Sequence, residues 1–135
     1  MNAPIQVSRP LPSALESALR ARFGERFSTA PAQREHHGRD ESPFPPMPPE
    51  AVVFAESTDD VVALVRLCRE HRYPLIPYGA GSSIEGHLLA VQGGVSLDVS
   101  RMNRVLSVDA EDLTATVEPG VLRKQLNDEM KDRGL

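Results

Sequence analysis

The chain has 135 residues, 40% hydrophobic and 25% charged, with 15 basic against 19 acidic side chains and a formal net charge of -4, which fits one modest domain or part of a larger one. That balance leaves no electrostatic footprint for nucleic acid, and an aromatic content of 4% without tryptophan argues against base stacking. The single cysteine, Cys68, excludes a disulfide framework and a cysteine-rich metal site, and no run approaches the ~20 apolar residues of a membrane span.

Leu15, Leu19 and Phe23 recur at helical spacing between Pro12 and Gly24, so the first predicted element is a helix with one apolar stripe. This N-terminal stretch is arginine-rich but lacks the compact apolar core of a secretory signal. Glu16 and Glu25 favour an ordinary surface helix over a transit peptide, and the expected location is cytoplasmic. The polar segment "STAPAQREHHGRDESPFPPMPPE" follows, with five of the twelve prolines between Pro43 and Pro49. Each proline fixes its own φ and removes a donor, so an extended surface connector is expected. His36, His37 and Asp40 within it match no usual metal-ligand spacing and read as solvated or loop-packing residues.

Order returns at "AVVFA", a short strand from Ala51, followed by a helix in "STDDVVALVRLCREHR". Ser57 and Asp60 have capping-box spacing at its start, and Val61, Leu64, Val65 and Cys68 are expected on its buried face. Cys68 is there a small core residue. "LIPY" is the next strand, which makes a βαβ pattern. After Gly93-Gly94, Val95, Leu97 and Val99 point one way while Ser96, Asp98 and Ser100 point the other. "RVLSVD" and "LTATVE" flank "AED" as a hairpin, with Leu113, Ala115 and Val117 expected in the core and the Asp109–Asp112 cluster serving the turn. In the last helix Leu122, Leu126 and Met130 share a face, and Gly134 stands where a C-cap belongs. A chain ending there is expected to be cut between elements of a larger fold.

The chemistry is concentrated in "PLIPYGAGSSIEGH", Pro74 to His87, with three glycines and two adjacent serines after an apolar run. Glycines allow positive φ and remove Cβ atoms, so successive backbone N–H groups can converge on an anion. Gly79, Gly81, Ser82 and Ser83 suit that role. Gly81 and Gly86 have Walker A separation, but His87 and Leu88 replace the required Lys and Ser/Thr. Ile84 occupies the third-glycine position of a dinucleotide fingerprint, so that reading fails as well. A plain glycine-rich turn stays open on the loop alone.

The loop together with "AVQGGVSLDVSRMNRVLSVDAEDLTATVEPGV" resembles the FAD-binding domain of the vanillyl-alcohol-oxidase, or PCMH, type. The likeness is strongest to the flavin-linked D-lactate dehydrogenases and the D subunit of glycolate oxidase, and "REHHGRDES" with "PPEAVVFAEST" resembles their N-terminal approach. It runs from about Thr29 to Leu135. The resemblance implies an α+β fold, a small mixed sheet with flanking helices, divided into residues 1–50 as helix and connector and 51–135 as the first part of the FAD-binding domain. It implies that Tyr78, Gly79, Ala80, Gly81, Ser82 and Ser83 wrap the FAD pyrophosphate, that Ile84 and Gly86 close the loop, and that Gly120 lies near the cofactor.

In relatives with the loop pattern "RSGGHDYEG" a histidine tethers the flavin. Ser82 falls on its place and cannot form that bond, so dissociable FAD is expected, and His87 reads as a loop-edge residue. The implied reaction of a whole relative is oxidation of a D-2-hydroxy acid, D-lactate or glycolate, to the 2-oxo acid, with electrons passed on to a carrier protein. Its substrate residues belong to a C-terminal domain, so no catalytic residue and no metal ligand is assigned here. The chain alone is expected to be inactive and completed by a C-terminal region or companion chain, and to be cytoplasmic or peripheral to the inner membrane. The alternative is a non-enzymatic remnant or the partner-binding half of a split flavoprotein.

Overall fold

The computed structural model describes residues 6–131 apart from Ser8, so the Gly134 cap lies outside the described residues. Helix α1 (Ser13–Phe23) follows Pro12 and buries Leu15, Leu19 and Phe23, the stripe its spacing requires. Fully burying each such side chain contributes about 1.5–3 kcal/mol. Gly24, at φ +55°, ends the helix with its N–H on the Arg20 carbonyl. A short 3-10 turn leads into β1 (Phe27–Ser28).

Helix α2 (Pro31–His37) starts on a proline, which suits a first helical position because the missing N–H has no partner there anyway. It is the first departure from an extended connector. The second is burial: Met47 and Pro49 are enclosed, so the proline segment packs instead of running over the surface. Gly38 is required there because a Cβ would meet the backbone of Pro48 at 2.5 Å.

Strand β2 (Ala51–Phe54) leads to helix α3 (Thr58–Glu70), where Asp60 N–H donates to Ser57 Oγ at 3.2 Å. The Asp60 carboxylate accepts from Glu56 N–H at 3.1 Å and pairs with Arg26 and Arg22, fastening α1 to α3. Leu64 and Cys68 are buried as expected, but Val65 is 44% exposed because it lies off the stripe that meets α1. Burial alone pushes the Cys68 thiol up to about 11, as befits an inert core residue.

Strands β3 (Leu75–Tyr78) and β4 (Val95–Asp98) complete a sheet of order β1-β2-β4-β3, with β2, β4 and β3 parallel and β1 antiparallel to β2. The βαβ unit therefore joins strands that are not neighbours, because β4 inserts between them. All four β4 residues are buried. Val53, Val95 and Leu97 share one cluster with α1 and α3, while α2, the proline segment and Leu88–Ala90 supply buried residues outside that cluster. Ser96 and Asp98 are thus enclosed, and Ser96 Oγ has no partner among the described residues.

Strands β5 (Val105–Asp109) and β6 (Thr114–Val117) form a separate two-stranded sheet. Leu113, Ala115 and Val117 do not enter a core: every β6 residue is exposed, and Leu113 is 74% exposed in the turn at φ +55°. Asp109 Oδ1 accepts from Glu111 and Asp112 N–H at 3.0 Å each, the turn role expected of that cluster. Glu118 closes the hairpin base, accepting from Arg104 N–H at 2.9 Å and from its guanidinium at 2.6 Å. Helix α4 (Arg123–Met130) ends the described chain and buries none of its residues. Among the described residues no helix is long and apolar enough to cross a membrane.

Candidate functional site

The glycine loop leaves β3 at the carboxyl edge of the parallel strands, where open α/β sheets place ligands. Asp98 ends β4 in the same register row as Tyr78, and Phe54 ends β2 one strand further along. Gly79, Ala80 and Ser82 are exposed. Among the described residues, the five N–H groups from Gly79 to Ser83 donate to no protein acceptor. Backbone donors without a protein partner must be served by water or a ligand. A Cβ on Gly79 would meet nothing within 4 Å, so that face of the loop is open.

Gly81 has φ +71°, and a Cβ there would collide with the Tyr78 hydroxyl. Tyr78 is itself buried beneath the loop, its ring 4.3 Å from that of His37 and its hydroxyl 3.4 Å from His36 Nε2. Burial first, and then the Asp98 charge, push the phenol above its ordinary value, so it stays neutral. The side chain of Tyr78 therefore supports the loop from below. Two clefts open on either side of Ala80. One, of about 450 Å³, runs between the loop and the residues Glu35, His36, Arg39, Asp40 and Glu41. The other, of about 320 Å³, joins Gly79 and Ala80 to Ser100, Asn103, Gly120 and Gln125.

The structure thus brings Gly120 to the same cleft as Gly79, though 41 positions separate them (120 − 79). Its N–H already donates to Met102 O at 2.8 Å, and a Cβ would collide with Val99 O. Glycine is needed there for close approach, and its amide is not free for an anion. Ile84 is 71% exposed and lines neither cleft. Gly86, at φ +77°, turns toward Phe44, whose ring would lie 2.6 Å from a Cβ. His87 is at the loop edge, with Nδ1 2.9 Å from Ser83 Oγ.

The functional neighbourhood also contains a buried pair that residue spacing did not reveal. His37 Nε2 lies 2.7 Å from Asp98 Oδ2, and His37 Nδ1 lies 2.8 Å from the Gln33 carbonyl. Both ring nitrogens are thus engaged, one at a carboxylate and one at a backbone carbonyl. Burial alone would raise the Asp98 carboxyl, but hydrogen bonds from His37 and Ser100 outweigh it and hold the group below its ordinary value. His36, one residue away, is exposed. The signal was a contact across 61 positions, invisible to any local pattern. No group of three or more metal-ligating side chains occurs among the described residues.

Comparison with known proteins agrees with this geometry. The model of the FAD binding domain family matches residues 49–135. The chain is 46% identical over 82% of its length to a probable mitochondrial D-lactate dehydrogenase from Danio rerio, spanning 22% of that protein. It is 32% identical over 89% of its length to glycolate oxidase subunit GlcD of Bacillus subtilis, spanning 26% of it. Among solved structures, p-cresol methylhydroxylase with substrate bound superposes with a TM-score of 0.75 at 25% identity, covering 96% of this chain and 27% of that one. The chain therefore spans about a quarter of the length of these relatives. An open loop with unpartnered amides at the carboxyl edge of parallel strands fits a dinucleotide pyrophosphate. The chain belongs to the FAD-binding-domain family of PCMH-type flavoproteins, and its cofactor is FAD.

Proposed function

We propose that the chain is the N-terminal, pyrophosphate-binding part of an FAD-linked dehydrogenase that oxidises a D-2-hydroxy acid, D-lactate or glycolate. One observation carries the reading: the N–H groups from Gly79 to Ser83 meet no protein acceptor among the described residues, and open space lies beside Gly79. Each hydrogen bond from such a donor to a charged oxygen contributes about 1.5–3 kcal/mol. In this reading the amides of Gly79, Ala80, Gly81, Ser82 and Ser83, with the Ser82 hydroxyl, hold the pyrophosphate. Tyr78 fixes the loop's height, Ile84 and Gly86 close it, and Gly120 lines the cofactor cleft by its bare Cα. FAD supplies the hydride acceptor when bound. Ser82 offers no ring nitrogen for a covalent tether, so attachment is non-covalent.

Residues 51–135 form the first part of the FAD-binding domain in this proposal, and residues 1–50 are its helical approach. Substrate-contacting residues and the docking site for an electron carrier belong to the remainder of such an enzyme, in the same or a companion chain. Exposed Leu106, Leu113, Val117 and Leu122 offer apolar surface for it.

The test is flavin titration of the purified chain, alone and with a companion region supplied. Fluorescence quenching, flavin released into the supernatant on acid precipitation, and dye reduction with D-lactate by the completed enzyme are expected. Flavin retained in the pellet defeats the non-covalent reading. Protein that takes up no FAD in either form favours a non-enzymatic module instead.

A further inference from the structure

The three parallel strands end in one register row: Phe54 of β2, Asp98 of β4 and Tyr78 of β3. A single side chain from α2 meets all three. The His37 ring lies 4.3 Å from the Tyr78 ring and, edge-on, 5.8 Å from the Phe54 ring, centroid to centroid. Its Nε2 is 2.7 Å from Asp98 Oδ2 and its Nδ1 is 2.8 Å from Gln33 O, so both edges of the imidazole are held. Asp98 is fixed in turn, since its Oδ1 accepts from Ser100 N–H at 2.7 Å. His37, Asp98 and Tyr78 are only 3%, 4% and 5% exposed. A buried pair satisfied in this way is rigid, because rotation of either side chain would leave a polar atom without a partner.

We propose that His37 is the positioning residue of the glycine loop, holding Tyr78 at the height from which Gly81 is supported. The chain of contacts is unbroken. Asp98, at the end of the central strand, orients the His37 ring, and that ring backs Tyr78. The Tyr78 hydroxyl in turn stands where a Cβ of Gly81 would be. The main chain of Tyr78 is tied separately, its carbonyl accepting from Val99 N–H at 3.1 Å, so the freedom left for His37 to remove is that of the side chain. Without the imidazole behind it the phenol can tilt away, and the loop above loses its support. A cradle set before its ligand arrives binds more tightly, because the entropy of ordering it is not lost at binding. His37 touches no reacting group and acts through Tyr78; its consequence for FAD rests on the reading of Gly79–Ser83 as the pyrophosphate cradle.

Two substitutions separate positioning from mere packing. His37→Gln carries its amide nitrogen to the Nε2 place and keeps the Asp98 bond, whereas His37→Asn reaches only the Nδ1 place and its own helix. NMR amide spectra of the ligand-free 135-residue chain read the loop directly. In His37→Asn the signals of Gly79–Ser83 move, and in His37→Gln they return toward their original positions. Tyr78→Phe, which keeps the ring and removes only the hydroxyl beneath Gly81, moves the Gly81 signal and serves should His37→Asn not fold. Leu64→Val, in the cluster shared with α1, lowers the unfolding midpoint and leaves the loop signals in place. FAD titration reads the consequence: Kd rises about tenfold in His37→Asn and stays within about threefold of wild type in His37→Gln. Loop signals that stay in place in His37→Asn and Tyr78→Phe overturn the proposal. So does an equal loss of affinity in His37→Gln and His37→Asn, or a loss in Leu64→Val as large as in His37→Asn. Wild-type chain that binds no FAD defeats the cradle reading alone, and the ligand-free loop signals still decide the role of His37.

Discussion

In β4 all four residues are buried, polar and apolar alike, whereas in β6 all four are exposed. Both segments carry the alternating pattern of a half-buried strand, so alternation is not what separates them. β4 lies between two parallel neighbours and has buried residues of the helices, proline segment and Leu88–Ala90 around it. Among the described residues β6 has only β5 beside it, and α4 buries none of its residues. Burial is a property of neighbours, and the chain supplies them on one side only. The glycine loop and Gly120 stand on the seam between the two regions, lining one cleft from both.

The contrast is broken most forcefully at His37. His37→Ala leaves the enclosed Asp98 carboxylate without its ring partner and should destabilise the packed region by about 3 kcal/mol or more in urea unfolding. A change below 1 kcal/mol would mean that water reaches Asp98 and that the buried pair is not structural. Leu64→Ala removes a fully enclosed side chain between α1 and the sheet, with an expected cost of about 2–5 kcal/mol. The same truncation at Leu106 in the hairpin should stay within about 0.5 kcal/mol.

Acid sharpens the same division. Asp98 and Asp60 both have carboxyls held below their ordinary value in the folded chain, Asp60 because hydrogen bonds from Arg26 and Glu56 and the charges of Arg26 and Arg22 outweigh its burial. A carboxyl with a depressed folded-state pKa contributes stability that is complete above its unfolded value, about 3.9, and is lost as pH falls through the folded value. Urea midpoints for the packed region should therefore hold down to about pH 5 and fall below pH 4. Asp98→Asn should flatten that fall, and an unchanged acid limb would remove Asp98 as its source.

The smallest effect has an unusual sign. Leu113 holds φ +55°, where a side chain is strained, and is 74% exposed, so it gains little by burial. Leu113→Gly should leave the isolated chain unchanged or stabilise it by up to about 1 kcal/mol. A loss above 1 kcal/mol would show that Leu113 packs in solution and that the hairpin is not open.

Much of this was legible along the chain. Leu15, Leu19 and Phe23 announced α1, Ser57 and Asp60 announced the start of α3, and Gly79 and Gly81 announced a loop after β3 that reaches positive φ, because each depends on residues within a few positions of one another. His37–Asp98, Gly79–Gly120 and Phe44–Gly86 were not legible, because each joins residues more than 40 apart in sequence. Residue type also misled where the partner was unseen. Met47 and Pro49 look like connector and are core; Leu113 and Val117 look like core and face water.

The sequence by itself determined the local conformations: helix stripes, caps, turns and a loop whose glycines can take positive φ. The tertiary structure alone decided which strand fills the centre of the sheet and which faces acquire a cover. It also decided that Gly79, Ala80 and Gly81 line open clefts and that, among the described residues, the amides of Gly79–Ser83 meet no protein acceptor. The physical reason is the range of the forces: dihedral and capping preferences act over a few residues, while burial and hydrogen-bond satisfaction depend on what the folded chain brings alongside.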